Sequence, residues 1–209
     1  SIRAEQPSTV RPRRRCAEST AAFVTALAIP ATLHDSLMAR LDRVAGAKDV
    51  AQIGACIGRE FSYEMIAKVA QLPVERVQAA LGQLVEAGLV SRRGVLPEAS
   101  FTFKHALIQE AANESLLRVR RRELHGRIAQ VLEQEFSERT THEPEILAHH
   151  LSEAGLFDRA MLSWLRAGQV AASRSASAEA IAHLRQGLAL IGEVAPGPVR
   201  NRAELDLQL

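Results

Sequence analysis

Lys104 and His105 close the run Phe101-Thr-Phe-Lys-His105, and a helix-like stretch, Ala106-Leu-Ile-Gln-Glu-Ala-Ala112, follows at once. A ring N–H beside a helix N-terminus favours an anion. A histidine that caps its own helix or bonds the preceding strand has the same sequence, and that alternative stays open. Arg118, Arg120, Arg121 and Arg122 can seat a phosphate or an acidic partner. A solvated helix face, with Glu114 and Glu123 at hand to pair with, explains the same run. His142, His149 and His150 raise the question of a metal. Adjacent histidines on a helix point about 100° apart, and neither a nearby cysteine nor a histidine pair at i, i+4 supports them, so no metal site is expected. Cys56 lies among apolar residues, and no Ser–His–Asp or Cys–His arrangement is legible. The phosphate-cradling Gly-x-x-x-x-Gly-Lys-Ser/Thr pattern does not occur either. The chain is therefore expected to be no enzyme by itself and to hold no cofactor of its own.

The elements that must position these residues are mainly helical. Aromatic residues make up only 4% of the chain while alanine and leucine abound, which favours helix-on-helix packing. After an arginine-rich, irregular leader (residues 1–26), Pro30 breaks the chain before a helix with Thr32 as its cap, Asp35 in its first turn and Leu33, Leu37, Met38 and Leu41 as its stripe. A second helix is predicted from residue 48 to about 57, with Val50, Ile53 and Ile57 inward and Gly58 ending it. Ser62 caps a third, short helix, and Pro73 opens a fourth that buries Val77, Leu81, Leu84 and Val85 and stops at Gly88. The period then becomes strand-like over residues 89–93 and 100–104, which predicts a hairpin. From His105 onward the pattern is helical: 105–117, 118–136, 145–153, 157 to about 172 and 178–191, with a break at Pro196-Gly-Pro198 and the start of a further helix after it. The fold class expected is thus mainly α, a winged helix (three helices plus a β-hairpin) followed by a tetratricopeptide-like helical array.

The array carries its own spacing. With Met161 as the first position of a 34-residue unit, Trp164 falls at 4, Gly168 at 8, Ala171 at 11, Ala180 at 20, Leu184 at 24 and Gly187 at 27. Large residues at 4 and small ones at 8 and 20 let two helices nest. Trp164 and its neighbours are then expected on a surface that could grip a peptide. The net charge of +2 gives no general nucleic-acid footprint. On the fourth helix Arg76, Gln78 and Gln83 are offset by Glu75 and Glu86, and the hairpin adds only Arg92 and Arg93, so DNA is an unlikely partner. Cys16 and Cys56 form no spacing motif and fit free thiols in a reducing cytoplasm. The arginines at 13–15 ahead of an apolar stretch imitate an export signal only faintly, and no run reaches the ~20 apolar residues of a membrane helix. The first residue is Ser, so the chain is expected to be processed or cut from something longer.

The wording of several segments is more specific than their periodicity. Ile29-Pro-Ala-Thr-Leu-His-Asp-Ser-Leu-Met-Ala-Arg-Leu-Asp-Arg43, Ile57-Gly-Arg-Glu-Phe-Ser62, Leu84-Val-Glu-Ala-Gly-Leu-Val90, Phe101 to Ala112 and Leu147-Ala-His-His-Leu-Ser-Glu-Ala-Gly155 resemble a bacterial family. These are large signal-transduction (STAND/AAA-type) ATPases fused to class III adenylate/guanylate cyclases, with relatives among transcription activators. The resemblance covers roughly residues 27–191. It implies the order cyclase, P-loop ATPase, winged helix and tetratricopeptide-like array, of which only the last two are present. By resemblance, residues 27–46 are a linker helix from a missing ATPase module, 47–105 the winged helix, 106–195 the array and 196–209 the start of another helix. The resemblance further implies that His105, with Lys104, reaches the β-phosphate of ADP held by that ATPase, and that a protein or small-molecule inducer binds the array. ATP and ADP belong to the parent, not to this chain. Asn113 departs from the family, where a tyrosine is expected, which questions the packing of that helix. The expected function is a non-catalytic regulatory segment of a multidomain signalling ATPase. A DNA-binding winged-helix regulator and a free-standing peptide-binding scaffold are the alternatives.

Overall fold

The computed structural model describes residues 31–208. The leader expected over 1–26, with its arginines and Cys16, and the first residues of the expected linker helix lie outside the described residues. What is described is mainly α, with one small antiparallel sheet. Helix α1 (Ala31–Asp42) buries Leu41 and leans Met38 on the core. The side chains of Thr32, Leu33, Asp35 and Leu37 lie outside what is described.

Helix α2 (Lys48–Ile57) occupies the predicted span and buries Val50 and Ile53. Strand β1 (Glu60–Ser62) follows, and the sequence did not announce it. Three residues are too few for an alternating period, and Ser62 reads as a helix cap. It is both: Ser62 Oγ accepts the Met65 N–H at 3.1 Å and so caps α3 (Tyr63–Ala70). Helix α4 (Val74–Glu86) begins one residue after Pro73, which takes the cap position instead of the first turn, and buries Val77, Leu81 and Leu84. Gly88, at φ +69°, turns the chain into strand β2 (Val90–Arg93). Strand β3 (Ser100–Phe103) pairs with β2 from Val90↔Phe103 to Arg93↔Ser100, and with β1 on its other edge through Phe61↔Phe101. The sheet order is therefore β1-β3-β2, three strands where two were expected.

Helices α5 (Ala106–Glu114) and α6 (Arg118–Glu135) come next. The large core crosses the boundary expected at residue 105. Phe61, Phe101 and Phe103 share it with Ile108 of α5 and with Leu124, Ile128 and Leu132 of α6. Asn113 is accommodated rather than misplaced, since Cys56 Sγ donates to its Oδ1 at 3.5 Å.

A short helix α7 (Ser137–His142) fills the stretch between the helices expected over 118–136 and 145–153, and α8 (Pro144–Ala154) starts at the proline. Gly155, at φ +75°, ends α8 in the left-handed conformation. Helix α9 (Phe157–Ser173) packs between α8 and α10 (Ser177–Ala189), and α11 (Pro198–Gln208) covers the end of that pair. The last helix starts inside the expected Pro-Gly-Pro break, because a first-turn proline lacks only an N–H that has no helical partner anyway. The small residues of the 34-residue pattern lie at close approaches. A Cβ on Gly168 would fall 2.5 Å from Leu184 Cδ2, and one on Gly187 would fall 2.8 Å from Leu207 Cδ2. Met161, Ile191, Val194, Ala203 and Leu207 form a second core there.

Candidate functional site

Lys104 and His105 stand exposed at the junction of β3 and α5. The Lys104 N–H donates to the Leu89 carbonyl at 3.1 Å, which fixes the backbone just before the helix. His105 occupies the cap position of α5 in an extended conformation, and its side chain makes no cap hydrogen bond. The structural alternative left open by the sequence, a histidine capping its own helix, is therefore not adopted. The helix start remains without a side-chain acceptor, beside two basic side chains. Across the end of β2, Arg40 Nη2 donates to the Ala87 carbonyl at 3.3 Å, and a Cβ at Gly88 would lie 3.7 Å from Lys104 Nζ and 4.0 Å from Arg40 Nη2. Arg40 thus brings a second fixed positive charge, after Lys104, to the same corner.

The four arginines do not act as one patch. Helical spacing sends Arg120 to the side of Glu123, with which it pairs at 3.2 Å. Arg118, Arg121 and Arg122 instead line a cleft of about 470 Å³ between α6 and the α8–α9 turn, opposite Ser152, Glu153 and Phe157. Arg122 Nε donates to the Ala154 carbonyl at 3.4 Å, and Arg121 Nη2 to the Leu116 carbonyl at 3.4 Å. The Nε of Arg121 is buried with no hydrogen-bond partner. Beside them Leu117 is 80% and Val119 71% exposed, so apolar and basic side chains alternate along the α5–α6 joint.

Trp164 corrects an expectation. It is half-buried, not displayed: its Nε1 donates to Ser152 Oγ at 3.0 Å and its ring stacks on His183 at 5.5 Å. Leu151 and Ala160 pack beneath it. An indole that bridges α8, α9 and α10 holds the helices together and leaves little of itself for a peptide.

The histidines meet across two helices, which spacing within one helix does not reveal. His125 of α6 faces α8 and meets both His149 and His150, with ring centroids 5.8 and 5.1 Å away. One nitrogen from each of the three rings lies within 4.8 Å of the other two. His125 and His150 are almost fully buried, and their Nδ1 atoms are 2.9 Å apart, so one ring donates and the other accepts. Burial, with His149 and Arg121 nearby, holds His125 down at about 4. Burial also holds His150 down, at about 3, with His125, His149 and Arg139 adding to the effect. Both rings are neutral at pH 7. His142, which the sequence grouped with them, is exposed on α7 and outside the cluster. The signal in the sequence was the register of His125 against His150, which only the pairing of two helices reveals.

The remaining chemistry is subdued. Burial pushes the Cys56 thiol up to about 11, so it is a packed, protonated side chain and not a nucleophile. The outer face of α4 mixes Glu75 and Glu86 with Arg76, all exposed, and Gln78 Nε2 is engaged with the Tyr63 hydroxyl at 3.2 Å. Among the described residues, no helix is long and apolar enough to cross a membrane.

No protein-family model matches the chain, and no solved structure matches it. An uncharacterized protein of Rhizobium meliloti is 29% identical over 170 residues, which cover 81% of this chain and 16% of that protein. The chain thus spans about one sixth of the length of the curated relative it matches.

Proposed function

We propose that this chain is a non-catalytic regulatory arm, a winged helix joined to a tetratricopeptide-like array, of a multidomain signalling ATPase. The observation that carries the reading is the corner at the start of α5, where Lys104 and His105 are exposed beside a helix end that no side chain caps. Such a corner offers backbone and ring N–H donors and a positive charge to a phosphate supplied from outside the chain. In the proposed parent that phosphate is the β-phosphate of ADP held on the ATPase module. The element order α2, α3, α4 and the β2–β3 hairpin supports a winged helix, and the close approach of Gly168 to Leu184, between α9 and α10, supports a tetratricopeptide-like pair. The alternation of Leu117 and Val119 with Arg118 and Arg120 suits a contact with an acidic, partly apolar protein surface, for which the ATPase module is the occupant proposed. The mixed charge of α4 argues for an arm that docks on protein and not on DNA.

Regulation then needs two docked arrangements of the arm, with nucleotide favouring one and a partner on the array favouring the other. The test is His105→Ala in the intact parent protein. ADP retention is expected to weaken and basal output to rise. Unchanged ADP affinity removes His105 from the mechanism.

A further inference from the structure

We propose that His125, His149 and His150 form a three-histidine site for a transition-metal ion, Zn²⁺ in the first instance, at the joint between α6 and α8. The inference is independent of the regulatory reading above. Imidazole nitrogens about 2.0–2.1 Å from a tetrahedral ion lie about 3.4 Å from one another, with ring centroids about 5 Å apart. The three rings observed have centroids 5.1, 5.3 and 5.8 Å apart. One nitrogen from each ring already converges within 4.8 Å of the others, and the Nδ1 atoms of His125 and His150, 2.9 Å apart, need only a slight spreading to admit an ion.

Adjacent residues serve one ion here because α8 lies along α6. His150 points into the interface, His149 stands at its edge, and His125 comes from the opposite wall. Two ligands are buried and preorganised by packing, while the third is exposed and opens the fourth position to water. No proton must leave, since neutral imidazoles already carry a free lone pair each. The ring that donates in the Nδ1···Nδ1 bond has only to carry its proton on Nε2 instead. An all-imidazole set suits Zn²⁺, Cu²⁺ or Ni²⁺ and rejects Mg²⁺ and Ca²⁺, which take oxygen ligands. Arg121 beside His125 and Arg139 beside His150 oppose a dication and so weaken its binding relative to an uncharged surrounding. An ion there would tie α6, which shares the large core, to α8, which packs on α9.

The experiment uses the full 209-residue chain, stripped with a chelator and titrated with Zn²⁺ by calorimetry, and with Co²⁺ while the visible spectrum is followed. One micromolar site per chain and the intense bands of four-coordinate Co²⁺ are expected. His149→Ala alters an exposed side chain, so its fold, checked by circular dichroism without metal, is retained while affinity falls at least tenfold. His142→Ala, outside the cluster, keeps the affinity of the parent sequence. Absence of stoichiometric micromolar binding overturns the site. So does a weak six-coordinate Co²⁺ spectrum, or equal Zn²⁺ affinity in the His149→Ala variant.

Discussion

Replacing glycine by alanine at two helical positions should move stability in opposite directions. Gly54 lies in α2, and a Cβ there would fall 2.8 Å from both Cε1 and Cζ of Phe61. Phe61 is 3% exposed, stacks on Phe101 at 5.9 Å and meets Phe103 at 5.8 Å, so its ring has no free direction in which to withdraw. Gly82 lies in α4, is exposed, and has nothing within 4 Å of the same added atom. Alanine gains about 1 kcal/mol over glycine inside a helix at either place. At Gly82 that gain stands alone, and Gly82→Ala should stabilise by about 1 kcal/mol. At Gly54 overpacking costs roughly 1–3 kcal/mol, enough to cancel or exceed the gain, so Gly54→Ala should destabilise by about 1 kcal/mol. Urea denaturation followed by circular dichroism reads both, provided the slope with denaturant is unchanged. Phe61→Leu in the Gly54→Ala background should recover part of the loss, because the shorter side chain leaves room for the methyl. Equal signs for the two alanines would mean that α2 does not pack on the β1–β3 phenylalanines as described.

The buried histidine pair makes stability depend on pH in metal-free protein. Both folded-state values lie below the ordinary 6.5, so the contribution is fully present above about pH 6.5 and is lost as pH falls toward 4. Between pH 7 and 5 the unfolded chain takes up protons that the folded chain refuses, which amounts to roughly 2 kcal/mol per histidine. Urea curves at the two pH values in chelator should show it, and a flat profile would rule out neutral burial of the pair. Leu132→Ala, at 1% exposure in the large core, should cost about 3 kcal/mol, whereas Leu205→Ala, at 55% exposure, should cost less than about 0.5 kcal/mol by the same titration. Trp164→Phe should lose about 1 kcal/mol with the Ser152 hydrogen bond, and a double-mutant cycle with Ser152→Ala should return a coupling of that order.

The sequence by itself determined what local chemistry determines. Apolar residues at helical spacing placed α2, α4, α6 and α9 within a residue or two of their observed ends, because one buried stripe and a period of 3.6 leave little choice. Ser62 and Gly88 marked their cap and turn, since an Oγ acceptor or a positive φ is needed where it is needed whatever packs outside. Lys104 and His105 at a strand-to-helix junction were legible for the same reason.

What depends on two elements meeting was decided by the tertiary structure alone. Strand β1 has no period of its own and exists because β3 offers a free edge to Phe61. Trp164 looked like a surface residue until α8 brought Ser152 to its N–H. The four arginines split because Arg120 pairs with Glu123 on its own helix, while Arg118, Arg121 and Arg122 line the cleft that the α8–α9 turn closes. His149 and His150 looked unable to act together while only their own helix was considered. The third ligand lies 24 residues before His149, and no spacing rule within one helix connects them. Their meeting follows from how α8 lies along α6, where Ala129 packs with Leu151 and Leu147, and not from any property of the histidines themselves.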